Sequence, residues 1–510
     1  MKAQIDKKRF YPTVAIIVLV LVLVSVRLEE VQAAVNSTYA AISEKFDWLF
    51  VVSNLCAFFF SLWIAFGRFG KIKLGGKDAK PAYSKFSWIA MMFTTSCSAG
   101  LIVFGFVETT IYSAAPPMHV EPFSLEAYEY AAMYTHYHWG FNAWTLYVPA
   151  SVAIGYMLYN RGSRQINMST ACSPILKGQS DRLPGAVIDV FGTFGAVAAP
   201  VTSMGLGMPL LTLLIQRIFG ISEAYTTQLQ IIILAVWIAI FGTSVYLGLD
   251  KGIKNLSDAN VYLAFAFMIF VGFLAGMFYV FRAEVAAIGL YLQNFIRMAT
   301  YTDPYGDGVF VRNWTVWYWA WLIVYMPLMG VFNARISKGR TLREVAIGQM
   351  VWCSLGCWVA MATLGNYAIK LQMSGTADIA AALESGGQPG AVLAILETMP
   401  LPKLMMTIVA LLCFVFMATT VDSSAFVAAE STYIHADSDT GAPRWCRVFW
   451  AVVICAITFV LLRIGGFGSV QVLALLIGLP LSVLMFVVVA SAVKAIREDH
   501  DPKEQKEKNV

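Results

Sequence analysis

Between Asn313 and Gly330 the chain reads Asn-Trp-Thr-Val-Trp-Tyr-Trp-Ala-Trp-Leu-Ile-Val-Tyr-Met-Pro-Leu-Met-Gly. At roughly 100° per helical residue, Trp314, Tyr318, Trp321, Tyr325 and Met329 fall within an arc of about 80°, so one helix presents a wall of rings and a thioether, with Trp317 beside it. Such a wall suits an organic cation. Indole and phenol faces carry negative quadrupole density, and they hold a quaternary ammonium that has no hydrogen to donate. The same stripe could instead pack on a neighbouring helix or sit at a membrane interface.

A second aromatic group runs from Tyr134 to Pro149. On a helix Trp144 and Tyr147 lie about 60° apart and Trp139 and Tyr147 about 80°, so the three line a concave surface if Gly140 or Pro149 bends the segment. With Trp321 opposite they make a four-sided box. His136 and His138 lie beside this group and read as residues that orient it. Upstream, Ser96, Cys97, Ser98, Ala99 and Gly100 interrupt an apolar run, and Gly105 and Glu108 follow. Small residues permit a membrane helix to unwind or pack closely, and a carboxylate within a span is a functional candidate. Glu108 reads either as a substrate or proton residue or as a group bonded to backbone near the outer mouth. Met417 to Ser424 holds Thr419, Thr420, Asp422, Ser423 and Ser424, hard oxygens of the kind an alkali cation takes, or else helix-to-helix hydrogen bonds.

These segments need apolar helices to position them. The chain has 510 residues, 58% hydrophobic and only 13% charged, with mean hydropathy +0.67. Soluble domains carry about 25% charge, so this is a polytopic, all-α membrane protein. Spans of about 20 apolar residues fit at 10–26, 47–66, 86–115, 128–160, 185–218, 227–249, 258–281, 313–335, 344–371, 403–430, 446–464 and 469–493, twelve in all. The stretch 283–300 is amphipathic, with Arg282 before it and Arg297 inside it, and reads as a helix lying along the outer interface. With both termini cytoplasmic, 27 of the 36 Lys and Arg residues fall inside and nine outside, as the positive-inside rule requires. The sequon at Asn36 then lies in the first outer loop.

Other classes fit less well. The net charge of +5 is spread over short loops and does not suggest nucleic acid. Eight cysteines show no zinc-knuckle or secreted-disulfide pattern, and Cys353 and Cys357, one turn apart, read as packing. Five scattered histidines and the lack of any nucleotide-binding motif leave an enzyme or an ATP-driven pump without support. The expectation is a secondary transporter with no cofactor. A ligand-sensing membrane receptor and an ion channel are the rival readings.

With Asn313 to Gly330, the loop from Arg335 to Arg340, Tyr301 to Pro304, and Trp139 with Trp144 in view, nearly the whole chain resembles the betaine/choline/carnitine transporter family. That resemblance implies the leucine-transporter-like fold: two inverted five-helix repeats, spans 3–7 (85–281) and 8–12 (313–495). Spans 1 and 2 (1–84) stand outside the repeats, the interfacial helix and its loop occupy 282–312, and 496–510 form a short tail. It also implies a homotrimer in the lipid of a bacterial inner membrane and a small quaternary-ammonium substrate such as carnitine, betaine or choline. By residue-wise match, Trp139, Trp144, Tyr147 and Trp321 form the aromatic box. Tyr318 and Glu108 belong with the substrate site, Tyr325 and Met329 lie along the route, and Trp314, Trp317 and Gly100 stand behind it. Where the family has a tryptophan pair the second member is Leu322, which, with Met329, looks closer to the carnitine exchangers. Coupling stays open. Asn260 stands where the exchanger has an arginine that replaces sodium, whereas Thr419, Thr420 and Asp422 look like the sodium-coupled members, and Ala196 to Pro200 lacks their threonines. Sodium is the candidate coupling ion, and symport and exchange are both compatible.

Overall fold

The computed structural model describes residues 4–94, 98–247, 250–434, 441–464 and 467–501, and their side chains except at 25, 28, 246, 247, 250–254 and 434. Ser96 and Cys97 of the small-residue interruption, His435 and the tail beyond Asp501 lie outside it.

Helix α1 (Lys7–Val26) begins where the Asp6 carboxylate accepts from the Lys8 N–H at 3.0 Å. It is followed by α2 (Leu28–Lys45) and α3 (Asp47–Phe66). Helix α2 departs from the expected outer loop, and Asn36 of the sequon lies inside it. Glu29 and Glu30 in its first turn and Lys45 in its last complement the helix dipole, so a charged, exposed sequence still forms a helix. Helices α4 (Lys85–Thr94) and α5 (Ala99–Ala114) meet at 58°, and the Ser98 hydroxyl caps α5 by accepting from the Leu101 N–H at 3.1 Å. This is the interruption that the small residues predict.

The fourth expected span, 128–160, is not one helix. It is α6 (Leu125–His138), a single turn α7 (Phe141–Thr145) and α8 (Val148–Tyr159). The first break falls where Gly140 adopts an extended backbone, ψ −161°, and the second lies just before Pro149, whose missing N–H suits the first turn of a helix. Two short turns, α9 (Met168–Ala171) and α10 (Ser173–Leu176), lead into the long α11 (Leu183–Phe219), which Gly220 ends with φ +67°. Next come α12 (Thr226–Leu247), α13 (Asp250–Ala275) and, after Gly276 at φ +95°, the amphipathic α14 (Met277–Thr300), which starts six residues before the expected interfacial helix.

A π-helical turn, Val311–Val316, introduces α15 (Trp317–Ile336). Every residue from Trp317 to Leu328 is buried, as expected of a helix that is apolar on all sides. Helix α15 packs against α8, α11 and α21. Thr341 and Glu344 form a reciprocal capping box at the start of α16 (Leu342–Ala360), which continues through the π-turn Met361–Gly365 into α17 (Asn366–Met373). Helix α18 (Ile379–Glu397) was not expected. Its Gly387 has φ +61° and Pro389 follows, so a loop-like sequence hides two helical pieces across a kink. The chain ends with α19 (Pro402–Ser431), α20 (Arg444–Ile464) and α21 (Phe467–His500).

Among the described residues ten helices are long and apolar enough to cross a membrane, or up to eleven if the bent pair α4 and α5 counts as one span. The ten include the unexpected α18, and neither α1 nor the twice-broken segment α6 to α8 is among them, so this set differs from the twelve expected spans. Near the chain start, β1 (Gln4–Ile5) pairs antiparallel with β2 (Tyr433–Ile434), just after α19. There buried Arg9 reaches Asp189 of α11 at 2.8 Å and Asp6 at 2.5 Å.

Candidate functional site

The breaks in the fourth segment decide where its rings point. Trp139 stands at the first break, Trp144 on α7 and Tyr147 at the second break, and none could share a concave wall on an unbroken helix as fully. Helix α15 supplies Trp321, Tyr325 and Met329 across from them. Together with Thr419 and Thr420 of α19, these residues line one cavity of about 220 Å³. Six of the eight residues placed with the substrate line this cavity, and the other two, Tyr318 and Glu108, lie directly behind it, although they come from distant parts of the chain.

The wall is locked from behind. Trp139 and Trp321 meet edge to face, centroids 5.9 Å apart at 86°, and Trp144 and Tyr147 at 5.8 Å and 69°. Each of the three indole N–H groups donates to a protein acceptor: Trp139 to Glu108 Oε2 at 2.8 Å, Trp144 to the Trp139 carbonyl at 3.0 Å, and Trp321 to Thr202 Oγ1 at 2.9 Å. Ring orientation is thereby fixed before any ligand arrives. The Tyr325 hydroxyl shares a 2.5 Å hydrogen bond with Ser203, another residue lining the cavity.

Glu108 is fully buried and does not line the cavity. It sits one layer back, accepting from Trp139 and, at 2.9 Å, from the Tyr318 hydroxyl. Its other oxygen lies 3.6 Å from His138 Nδ1 and has no hydrogen-bond partner. His138 in turn meets the Tyr112 hydroxyl at 2.7 Å and Thr315 Oγ1 at 3.0 Å, and stacks on Tyr318 with centroids 4.7 Å apart. Tyr318 is fully buried in this second layer. Trp317 stacks on Trp321 at 5.2 Å and 12°, and Trp314 lies further out against Phe467 at 6.3 Å. Gly100 lies against the back of the box: a Cβ there would stand 3.1 Å from Cη2 of Trp321.

The four ion-coupling candidates separate. Thr419 and Thr420 line the cavity, and both hydroxyls donate to the Phe416 carbonyl, at 3.1 and 2.8 Å. Asn260 is not a cavity residue, and its side chain donates to the Leu412 carbonyl at 3.3 Å, tying α13 to α19. Asp422 lines an adjoining cavity of about 280 Å³ with Arg335 and Arg447. Sequence reasoning passed over Thr202 and Ser203. They follow Pro200 as the only adjacent pair of hydroxyls in the middle of α11, and that pairing was the available signal.

The arrangement can hold a bulky, soft cation among ring faces, and among the described residues no carboxylate or imidazole lines the cavity. Residues 8–501 match the family profile described as BCCT, betaine/carnitine/choline family transporter. With nearly its full length matched, this multi-pass membrane chain belongs to that family, whose members are secondary transporters of quaternary ammonium compounds and not enzymes.

Proposed function

We propose that the chain moves a trimethylammonium compound of the carnitine, betaine or choline type across a bacterial inner membrane by alternating access around the cavity between α6–α8 and α15. The observation that carries this reading is the convergence of Trp139, Trp144, Tyr147 and Trp321 on one cavity large enough for such a headgroup. Each ring face contributes about 0.5 to 2 kcal/mol to holding a cation. Glu108 adds a buried carboxyl acceptor behind two of the rings and so acts through Trp139 and Tyr318, not by touching the substrate.

The architecture that suits this mechanism is twelve spans with both termini cytoplasmic, spans 3–7 and 8–12 as inverted repeats, assembled as a homotrimer. The charge bias supports the orientation, and the paired interruptions in α4–α5 and α6–α8 are of the kind that broken transporter helices show around a central site. Thr419 and Thr420, which line the cavity and carry hydroxyl oxygens, are the coupling-ion candidates for sodium symport; Asn260, tied to backbone, favours neither symport nor exchange.

The deciding experiment is uptake of labelled betaine, carnitine and choline into proteoliposomes, with and without an inward sodium gradient and with and without preloaded substrate. Accumulation driven by sodium into empty vesicles makes it a symporter, and uptake that needs only preloaded substrate makes it an exchanger. Binding without accumulation under any condition would leave a receptor and discard the transport reading of this site.

A further inference from the structure

The cavity beside the box has a chemistry of its own. It shares Leu328, Phe332 and Ser423 with the aromatic cavity, so the two are neighbours through one partition. Its remaining lining includes Asp422, Arg335, Phe426 and Arg447. Arg335 ends α15 and Arg447 lies in the first turn of α20, at the end of the molecule that the charge bias assigns to the cytoplasm.

Both guanidinium groups are held over the same ring, Arg335 at 4.8 Å and Arg447 at 4.7 Å from the Phe426 centroid. Both guanidinium groups and the Asp422 carboxylate thus belong to one cavity lining. Among the described residues the ion-pair partner of Arg335 is the distant Glu430, at 3.9 Å, and that carboxylate also accepts from the Ala442 N–H at 2.8 Å. Arg447 has no ion pair among the described residues. Each guanidinium lies over the Phe426 ring, and a guanidinium carries a planar N–H fork that matches a carboxylate in two parallel hydrogen bonds.

We infer that this second cavity is a transit station for a zwitterionic substrate, one that carries a carboxylate as well as the quaternary ammonium. The inference rests on the reading that the box holds the ammonium group. As the headgroup leaves the box past Leu328 and Ser423, the carboxylate meets Arg335 and Arg447. The station thereby distinguishes zwitterions from simple cations such as choline, a choice the uncharged ring faces of the box do not make.

The test uses the full chain in proteoliposomes, with labelled glycine betaine as substrate and tetramethylammonium, which lacks a carboxylate, as competitor. In the double variant Arg335→Gln with Arg447→Gln, kcat/KM for glycine betaine is expected to fall about fivefold or more, while the inhibition constant of tetramethylammonium moves by less than about twofold. Equal loss for both compounds, no change in either, or a wild-type protein that carries no zwitterion overturns the station. A wild-type measurement avoids any folding defect. Phenylglyoxal adducts at Arg335 and Arg447, counted by mass spectrometry, are expected to drop severalfold with glycine betaine and not with equal choline; equal protection overturns the proposal. Trp321→Ala keeps the two readings apart: if that variant binds tetramethylammonium as tightly as wild type, the box reading fails whatever the arginines do.

Discussion

At the scale of single residues, the box is a set of rings held by their edges. Removing one face, as in Trp321→Ala, is expected to weaken substrate binding about tenfold or more, read as Kd by ligand-induced tryptophan fluorescence or as KM for uptake. Glu108→Gln keeps the shape but replaces one of the two carboxyl oxygens under Trp139 and Tyr318 with an amide nitrogen that cannot accept. A buried hydrogen bond lost with its partner left unsatisfied costs about 1 to 3 kcal/mol, so affinity is expected to fall roughly tenfold with expression and oligomeric state unchanged. An unaltered Kd would show that Glu108 serves the fold alone. The direction in which Glu108 points was not legible in the sequence. Helix α5 is buried on nearly every side, so no polar face existed from which to judge whether the carboxylate looked into the site or behind it. Asp422 is set apart from Thr419 and Thr420 for a related reason. It lies about 60° round α19 from Thr419, on the side away from Thr420, and that modest rotation places it in the next cavity.

At the scale of elements, the site depends on close contact between α8 and α15, each carrying part of the wall. A Cβ at Gly330 would come 2.7 Å from the Ala150 Cβ, so Gly330→Ala must push the two helices apart. Overpacking of this kind costs about 1 to 3 kcal/mol, and we expect a lower melting temperature in detergent together with weaker substrate binding. A melting temperature matching wild type would mean that the interface yields elsewhere. The N-terminal contact is a separate matter. Arg9→Met leaves Asp189 buried without its cation, expected to cost ~3 to 5 kcal/mol, whereas Arg9→Met combined with Asp189→Leu should recover much of that loss in the same thermal melt. Helix existence was mostly readable from apolar length, as in α11, α19 and α21. Helices α2 and α18 were not. The first is too charged to suggest a membrane element, and the second carries Gly386, Gly387 and Pro389, which read as a turn and prove to be a kink within helical flanks.

At the scale of the whole molecule, the four rings that meet were identifiable because their types are rare at mid-span, although their meeting depends on two breaks whose number the sequence left open. Orientation can be checked directly. In a cysteine-free background, a cysteine at fully exposed Tyr305, in the loop after α14, is expected to react with an impermeant maleimide on intact cells, and one at Gly162, after α8, only once the membrane is opened. The reverse pattern would invert the proposed topology. A last consequence follows from the three indole N–H groups that are already bonded to Glu108, the Trp139 carbonyl and Thr202. On that side of the cavity, water finds ring faces and no free indole hydrogen to anchor it, and loosely held water is readily given up to methyl groups. Calorimetry of substrate binding is therefore expected to show a negative heat-capacity change, the mark of apolar surface leaving water, even though the ligand is an ion.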